Sequence, residues 1–348
     1  MVLIRHTLLL ALLLAAVPPS GHAAARYTLK FATLAPPGST WMNILEDWGR
    51  TVSERSGGRL AFKFYPGGVQ GDEPDVIRKM RFNQLQGAAL TGYGIGQIYS
   101  PPRILEVPFL FRDYAEIDHV RAQFMPEFEQ GFREHGYELL GWMEVGFVYF
   151  FSQKPITSFD DLRKLRIWMW QGDPLGEAMF RASGLSPVPL SITDVFTSLS
   201  TGLIDTVYCT PLASIALQWF TKVDYVTNLP MANGIGGLLV SRRFFDRLPP
   251  DLQQLLRETG AETSRELIRQ TRIDNERSLE VLREEGLQFV LDPEQVDQAE
   301  LERMRDQAAA QLTADSYIPG PLFERTRALL ENYRNSLQAQ QTTPPAGE

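Results

Sequence analysis

The chain has very few of the residues that most often build disulfides and metal sites. It contains one cysteine, Cys209, among 348 residues, so no disulfide can form within it and its core must supply its stability. We expect the Cys209 side chain to be a small buried apolar group rather than a reactive thiol. Two of the four histidines, His6 and His22, lie in the N-terminal segment, and the sequence has no HExxH or CxxC pattern. A metal site is therefore not expected.

Positive charge is also in short supply. The chain carries 34 lysines and arginines against 42 aspartates and glutamates, a formal net charge of −8. Nucleic-acid binding requires a basic surface, and docking on an anionic membrane requires a basic patch. The charge balance argues against both functions.

The sequence lacks the patterns typical of common enzyme sites. It has neither a GxSxG nucleophile turn nor a phosphate loop ending in Gly-Lys-Ser/Thr. The run Gly92-Tyr93-Gly94-Ile95-Gly96 follows a predicted strand but lacks the GxGxxG spacing of dinucleotide-binding loops. We predict a tight turn there that brings the backbone close to a ligand. No cofactor is expected, and the sequence favours a protein that is not an enzyme.

One long apolar run occurs, and it lies at the N-terminus. Arg5 and His6 precede the run from Leu8 to Val17, and the small residues Ala23-Ala24-Ala25 follow it. This layout is typical of a secretory signal peptide over residues 1–25, cleaved after Ala25. The alternative, a membrane anchor, is disfavoured because a spanning helix needs about 20 apolar residues.

The remaining pattern is that of an α/β protein. Residues 27–33 alternate as a strand, a helix begins after Ser39, and a second strand covers residues 60–64. A similar succession of strands and helices occurs between residues 165 and 209. These repeated strand–helix–strand units predict two lobes, each built around a mainly parallel sheet.

Residues 250–285 carry a helical stripe of leucines and no strand signal. A continuous helix of that length would be roughly 50 Å long and could tie two lobes together. The alternative is a pair of shorter helices broken near Gly260.

The order of several short segments resembles the DctP family, the substrate-binding subunits of tripartite ATP-independent periplasmic (TRAP) transporters. The resemblance covers roughly residues 27–335. Any one of these segments is a weak signal, whereas all of them in order are a strong one. The segments are Leu29-Lys30-Phe31-Ala32-Thr33, Ser56-Gly57-Gly58-Arg59-Leu60, Tyr65-Pro66-Gly67-Gly68, Pro108-Phe109-Leu110-Phe111-Arg112, Pro187-Val188-Pro189-Leu190, Thr201-Gly202-Leu203-Ile204-Asp205 and Phe244-Phe245-Asp246-Arg247-Leu248-Pro249.

The resemblance implies a two-lobed periplasmic binding protein fold with a long helix spanning both lobes. We expect lobe I to comprise residues 26–147 with about 235–275, and lobe II residues 148–234 with about 276–335. Residues 336–348 are expected to form a disordered tail.

The resemblance also implies a function. A monomer would capture a small molecule, usually an organic acid, between its lobes and deliver it to TRAP-type membrane permease subunits. Two alternatives stay open at this point: a ligand-sensing periplasmic subunit of a signalling receptor, and a periplasmic enzyme.

The sequence departs from the family at three expected ligand contacts. A strand arginine that clamps the ligand carboxylate in the family falls at Trp168, and a second basic position falls at Val148. Cys209-Thr210-Pro211 stands where the family has an acidic residue, an asparagine and a proline. These departures imply a pocket that is apolar or aromatic, with Trp168 offering one N–H group and a large apolar face.

Two alternatives concern Trp168. A register slip of two residues would place Arg166 in the clamp, since Arg166, Trp168 and Trp170 share a strand face. Trp168 could instead fill core space. The weaker ligand-binding candidates, each as compatible with a core position, are Trp170, Tyr93, Trp142, Phe147 and Tyr149.

Overall fold

The computed structural model describes residues 26–342. The expected signal peptide, residues 1–25, and residues 343–348 lie outside that range. Within it, no helix is both long enough and apolar enough to cross a membrane.

Over residues 26–342, ten strands form one large sheet and one small one. In the large sheet the strand order is β10-β8-β4-β9-β3-β1-β2, with β7 also pairing with β4, while β5 and β6 pair separately. The strands are β1 (Tyr27–Thr33), β2 (Leu60–Tyr65), β3 (Gly87–Thr91), β4 (Tyr137–Ser152), β5 (Trp168–Trp170), β6 (Val188–Leu190), β7 (Thr206–Cys209), β8 (Tyr225–Thr227), β9 (Ala232–Ser241) and β10 (Gln288–Val290).

In the described part of the chain, twelve α-helices surround these strands, and short 3-10 helices lie between some of them. The α-helices are α1 (Thr40–Arg55), α2 (Glu73–Arg81), α3 (Gly92–Ile98), α4 (Tyr114–Glu134), α5 (Phe159–Leu162), α6 (Pro174–Ala182), α7 (Val195–Thr201), α8 (Pro211–Ala216), α9 (Arg242–Phe245), α10 (Pro250–Glu284), α11 (Gln298–Ala314) and α12 (Gly320–Thr342). The 3-10 helices are Pro101–Glu106, Ile192–Asp194, Trp219–Lys222 and Pro293–Gln295.

The long strand β4 joins the two lobes. Its residues from Tyr137 to Val148 pair with β9, and from Tyr149 onward it pairs with β7 and β8. A bulge between Glu144 and Gly146 marks this crossing, where Gly146 adopts φ = 107°, a conformation that favours glycine. The strand therefore changes partners between Val148 and Tyr149.

The helix α10 is continuous over 35 residues, so the alternative of two helices broken at Gly260 is wrong. Trp41 and Trp48 of α1 donate indole hydrogen bonds of 2.9 Å to Thr271 and Thr259 on this helix. Near its other end, Leu282 packs in the core around β7 and β8. The helix therefore braces both lobes.

Gly260 has a packing role in α10. A Cβ atom there would lie 2.6 Å from the carbonyl oxygen of Leu140, and one on Gly141 would lie 2.8 Å from the carbonyl oxygen of Gly260. The two glycines let the backbones of α10 and β4 approach more closely than any side chain permits. This contact explains why a poor helix former occupies the middle of the longest helix.

The glycine-rich run from Gly92 to Gly96 forms α3, so the prediction of a tight turn was wrong. Its glycines allow close helix packing, because a Cβ atom on Gly92 would overlap the carboxylate of Glu106, and one on Gly94 would lie 2.5 Å from Glu73 Oε2. Glu73 accepts hydrogen bonds from Thr91 N at 2.6 Å and Thr91 Oγ1 at 2.8 Å, at the start of this helix.

The C-terminal tail also differs from expectation. Residues 336–342 continue α12 instead of being disordered. Glutamine and alanine dominate this segment, and both have high helix propensity, which favours extending a helix already packed against the protein.

Replacing Gly260 with alanine is expected to destabilise the protein by about 1–3 kcal/mol, because the new methyl group forces α10 away from β4. The matched control is Ala261→Gly at the neighbouring exposed position, where helix propensity alone predicts a loss of about 1 kcal/mol. Urea unfolding measures both. A Gly260→Ala variant more stable than the parent would show that the close contact does not constrain the packing.

The buried Glu73 side chain makes the stability of the fold depend on pH. Burial raises the pKa of the Glu73 carboxyl to about 8, despite the hydrogen bonds from Thr91. Between pH 4.5 and about 8, the Glu73 carboxyl is therefore protonated in the folded state and ionised in the unfolded chain. The resulting stabilisation is complete below the ordinary pKa of 4.5 and is lost as the pH rises to about 8.

In Glu73→Gln this titration is absent. We expect the stability of the variant relative to the parent to rise by at most about 1.4 kcal/mol per pH unit between pH 5 and 8, then to level off. Urea midpoints of the two proteins across that range test this. Parallel pH profiles would mean that Glu73 ionises at its ordinary pKa.

Candidate functional site

A cavity of about 200 Å³ lies between the lobes. The carboxyl ends of β1, β3, β5 and β7 open onto it, at Thr33, Thr91, Trp170 and Cys209. Ligands of open α/β sheets bind at that end of the strands, because the loops that follow converge there. The crossing strands β4 and β9 contribute a further part of the wall, including Val148 and residues 232–235.

Aromatic rings form the lobe II side of the cavity. Trp168 stacks on Tyr208 with ring centroids 5.0 Å apart and meets Trp219 edge-on at 5.3 Å. The ring centroids of Trp170 and Tyr93 lie 4.9 Å apart, and Tyr93 belongs to lobe I. All five rings line the cavity. The contacts among the rings fix their planes, and this side of the cavity is apolar.

Trp168 both packs in a core cluster and lines the cavity; it is 1% exposed. Its indole N–H donates to the Leu190 carbonyl at 3.0 Å, across the β5–β6 pair. The expectation that this N–H is available to a ligand is therefore wrong, because the neighbouring strand uses it. Trp168 presents only its ring to the cavity.

The other sequence candidates divide into two groups. Tyr93, Val148, Trp170, Cys209 and Thr210 line the cavity, as Trp168 does.

Arg166, Trp142, Phe147 and Tyr149 are not part of the cavity wall. Because side chains alternate along a strand, Phe147 points away from the face on which Val148 lines the cavity. Its ring packs on Tyr114, with the ring centroids 4.8 Å apart. Trp142 packs on Phe128 in the lobe I core.

Arg166 is the residue that a register slip of two positions would place in the ligand clamp. Its side chain is 55% exposed, and its Nε lies 3.1 Å from Asp205 Oδ2. The backbone N–H of Arg166 also donates to Asp205 at 2.8 Å. Arg166 thus lies outside the cavity, held by a carboxylate of its own lobe.

Sequence reasoning missed a buried ionic cluster in the cavity wall. Arg103 Nη1 and Nη2 donate to the two oxygens of Asp173 at 2.8 and 3.1 Å, and Arg103 Nε pairs with Glu106. Arg103 and Glu106 lie in lobe I, whereas Asp173 precedes α6 in lobe II. The cluster therefore links the two lobes across the cleft.

The charges in this cluster hold one another in place. Burial alone would lower the pKa of Arg103, but Asp173 and Glu106 keep it well above its ordinary value. Burial raises the pKa of Glu106, although Arg103 and the N–H of Ile235 act against that rise. The guanidinium of Arg103 therefore already pairs with two carboxylates.

Further contacts connect the lobes around the cavity mouth. Asp72, at the start of α2, accepts hydrogen bonds from Trp170 Nε1 at 3.0 Å and from Ser191 Oγ at 2.7 Å. Tyr93 Oη donates to the Gln171 carbonyl at 2.8 Å. These bonds hold the aromatic wall of lobe II against lobe I.

Asn233 of β9 is another wall residue that the sequence analysis missed. It is 2% exposed, and neither its side-chain oxygen nor its nitrogen has a hydrogen-bond partner. A polar residue within the otherwise apolar run of residues 229–240 is a signal that could have found it. Arg103 and Glu106, three residues apart within another apolar run, give a similar signal.

Residues 31–315 match the family model of DctP, bacterial extracellular solute-binding protein family 7. A solute-binding protein of Roseobacter denitrificans is 27% identical over 256 residues, 71% of this chain and 76% of the relative. The sialic acid-binding periplasmic protein SiaP of Vibrio cholerae is 26% identical over 233 residues, 65% of this chain and 69% of that protein.

Solved structures show the same fold. A TRAP periplasmic solute-binding protein from Pseudomonas putida F1 with bound D-glucuronate superposes with a TM-score of 0.77 at 23% identity, covering 86% of this chain and 97% of that one. One from Polaromonas sp. JS666 bound to D-erythronate gives a TM-score of 0.79 at 19% identity, covering 87% and 98%. The family match spans most of the chain, and the two-lobed α/β architecture agrees with it. The chain belongs to the DctP family of bacterial extracellular solute-binding proteins.

Proposed function

We propose that this protein captures a small metabolite with an apolar or aromatic part in the interlobe cavity and delivers it to a TRAP-type membrane permease. The observation that carries the proposal is the aromatic wall around Trp168. Family membership supports binding without chemical conversion. The apolar N-terminal segment supports export to the periplasm.

The charge of the wall argues against small dicarboxylates and uronates. Arg103 is the only lysine or arginine among the lining residues, and Asp173 and Glu106 already occupy it. A buried carboxylate without a partner is very costly. Relatives in the family hold D-glucuronate and D-erythronate, but the clamp positions that the resemblance identifies are Trp168, Val148 and Thr210 in this chain.

Apolar burial supplies the alternative source of affinity. Removing apolar surface from water is worth about 25 cal/mol per Å². The rings of Trp168, Trp170 and Tyr208 are held by one another and by backbone contacts, so little side-chain order is lost when a flat group packs against them. A ligand with a planar or branched apolar part gains most from this wall.

We expect compounds with an apolar ring, such as phenylacetate or phenylacetamide, to raise the melting temperature more than succinate, malate or D-glucuronate do. A ligand that prefers the folded state raises the apparent melting temperature. Trp168→Phe should weaken binding of the ring compounds about fivefold, because the smaller ring no longer holds Tyr208 and Trp170 in place.

Two variants serve as controls. Trp142→Phe removes the same amount of side chain from a buried tryptophan outside the cavity and should leave affinity unchanged. Arg166→Ala, at an exposed position, should do the same. Tight binding of succinate or malate that Trp168→Phe does not weaken would contradict the proposal. If Arg166→Ala abolished that binding, the residue that clamps the carboxylate would be Arg166 and not the residue at position 168.

A further inference from the structure

A carboxylate of the protein itself fills an arginine fork in the cavity wall. Asp173 of lobe II accepts two hydrogen bonds from Arg103 of lobe I, from Nη1 at 2.8 Å and from Nη2 at 3.1 Å. Both residues line the cavity, and both side chains are buried. Two parallel N–H···O bonds are the geometry in which an arginine recognises the carboxylate of a ligand. In this protein the same geometry is used within the chain, across the cleft.

The other contacts of Arg103 fix the direction of this fork. Its Nε pairs with Glu106, three residues along the same 3-10 helix, and its Nη1 also donates to Tyr317 Oη at 3.2 Å. The edge formed by Nη1 and Nη2 therefore faces lobe II, where Asp173 is its partner. The carboxylate of a ligand would have to displace Asp173 to form the same pair of bonds.

The start of α6 holds the Asp173 carboxylate in position. Asp173 is the N-cap of this nine-residue helix, and its Oδ1 accepts a hydrogen bond from the N–H of Leu175 at 3.2 Å. The positive end of the helix dipole and the arginine fork therefore stabilise negative charge at the same place. A carboxylate is favoured at this place whether it belongs to the chain or to a small molecule.

We propose that Asp173 determines the ligand specificity of the cavity by acting as a built-in substitute for a ligand carboxylate. It bridges the lobes through Arg103 without an anion from outside, and it excludes anionic ligands because it fills the place where their carboxylate would bind. The inference deepens the proposed function and rests on it, since it takes the interlobe cavity as the ligand site. Removing the Asp173 carboxylate should turn this cavity into one that binds carboxylates.

The test removes this carboxylate and offers another in solution. Asp173→Ser keeps an oxygen that can cap α6, but the shorter side chain leaves the place of the carboxylate open. Acetate in the tens of millimolar should raise the melting temperature of Asp173→Ser by about 2 °C or more, and the parent should not respond. Sodium chloride at the same ionic strength controls for the screening of surface charges. Asp173→Gly, which an N-cap also tolerates, is used if Asp173→Ser does not fold.

Isothermal titration calorimetry with phenylacetate and phenylacetamide measures the change in specificity. Asp173→Ser should bind phenylacetate at least tenfold more tightly than the parent does, because the carboxylate gains Arg103 as a partner. Phenylacetamide, which carries no charge, should gain nothing. Asp173→Asn is the matched control, since it removes the same charge while its amide still fills the place. It should neither respond to acetate nor gain affinity for phenylacetate.

Three results would overturn the inference. These are no response of Asp173→Ser to acetate, an equal response in Asp173→Asn, and equal affinity of the parent and Asp173→Ser for phenylacetate. If one of them occurs while ring compounds still bind the parent in a manner that Trp168→Phe weakens, the proposed function stands and only the role of Asp173 fails. If Asp173→Ser gains carboxylate binding but no ring compound binds the parent, the role of Asp173 stands and the proposed ligand class fails.

Discussion

The ion pairs of Arg103 with Asp173 and Glu106 join the lobes at the point where the cavity begins. A buried guanidinium is tolerated only when carboxylates compensate for its lost hydration, and here they come from both sides of the cleft. Breaking the contact with Asp173 would leave that carboxylate without an opposite charge in lobe II, while Arg103 would keep only Glu106. The arrangement of the two walls around the cavity, and so its shape, depends on this cluster.

The same cluster determines what the cavity can recognise. A free cation in the wall would attract carboxylate ligands, but Arg103 is used inside the protein. Trp168 and Val148 stand at the two positions that the family resemblance assigns to basic residues. In the proposed function, affinity comes from the ring surfaces of the wall. We propose that the fold of a solute-binding protein is retained while the chemistry of its cleft changes from charge pairing to apolar contact.

Local patterns predicted much of the fold. The leucine stripe of residues 250–285 predicts α10 almost to the residue, because this signal is periodic and long. Short elements were predicted less accurately: the succession expected from residue 165 begins only at Trp168, where β5 is three residues long. The glycine run was predicted as a tight turn but forms α3. This helix depends on its packing against the buried Glu73 and Glu106, which lie elsewhere in the sequence.

The site could be predicted only in part. The resemblance located Trp168, Val148 and Thr210, which all line the cavity, but it could not show that β6 occupies the Trp168 N–H. Arg103 and Asp173 are 70 residues apart, and no local pattern pairs them. The unpaired state of Asn233 likewise depends on every neighbour in the folded wall.

Mass spectrometry of the small molecules that co-purify with the protein tests the central claim most directly. The cavity should retain a compound with a ring or branched apolar part, and the amount retained should fall in a variant with a smaller Trp168 side chain. Recovery of a uronate or a small dicarboxylate, in equal amount from both proteins, would contradict the account.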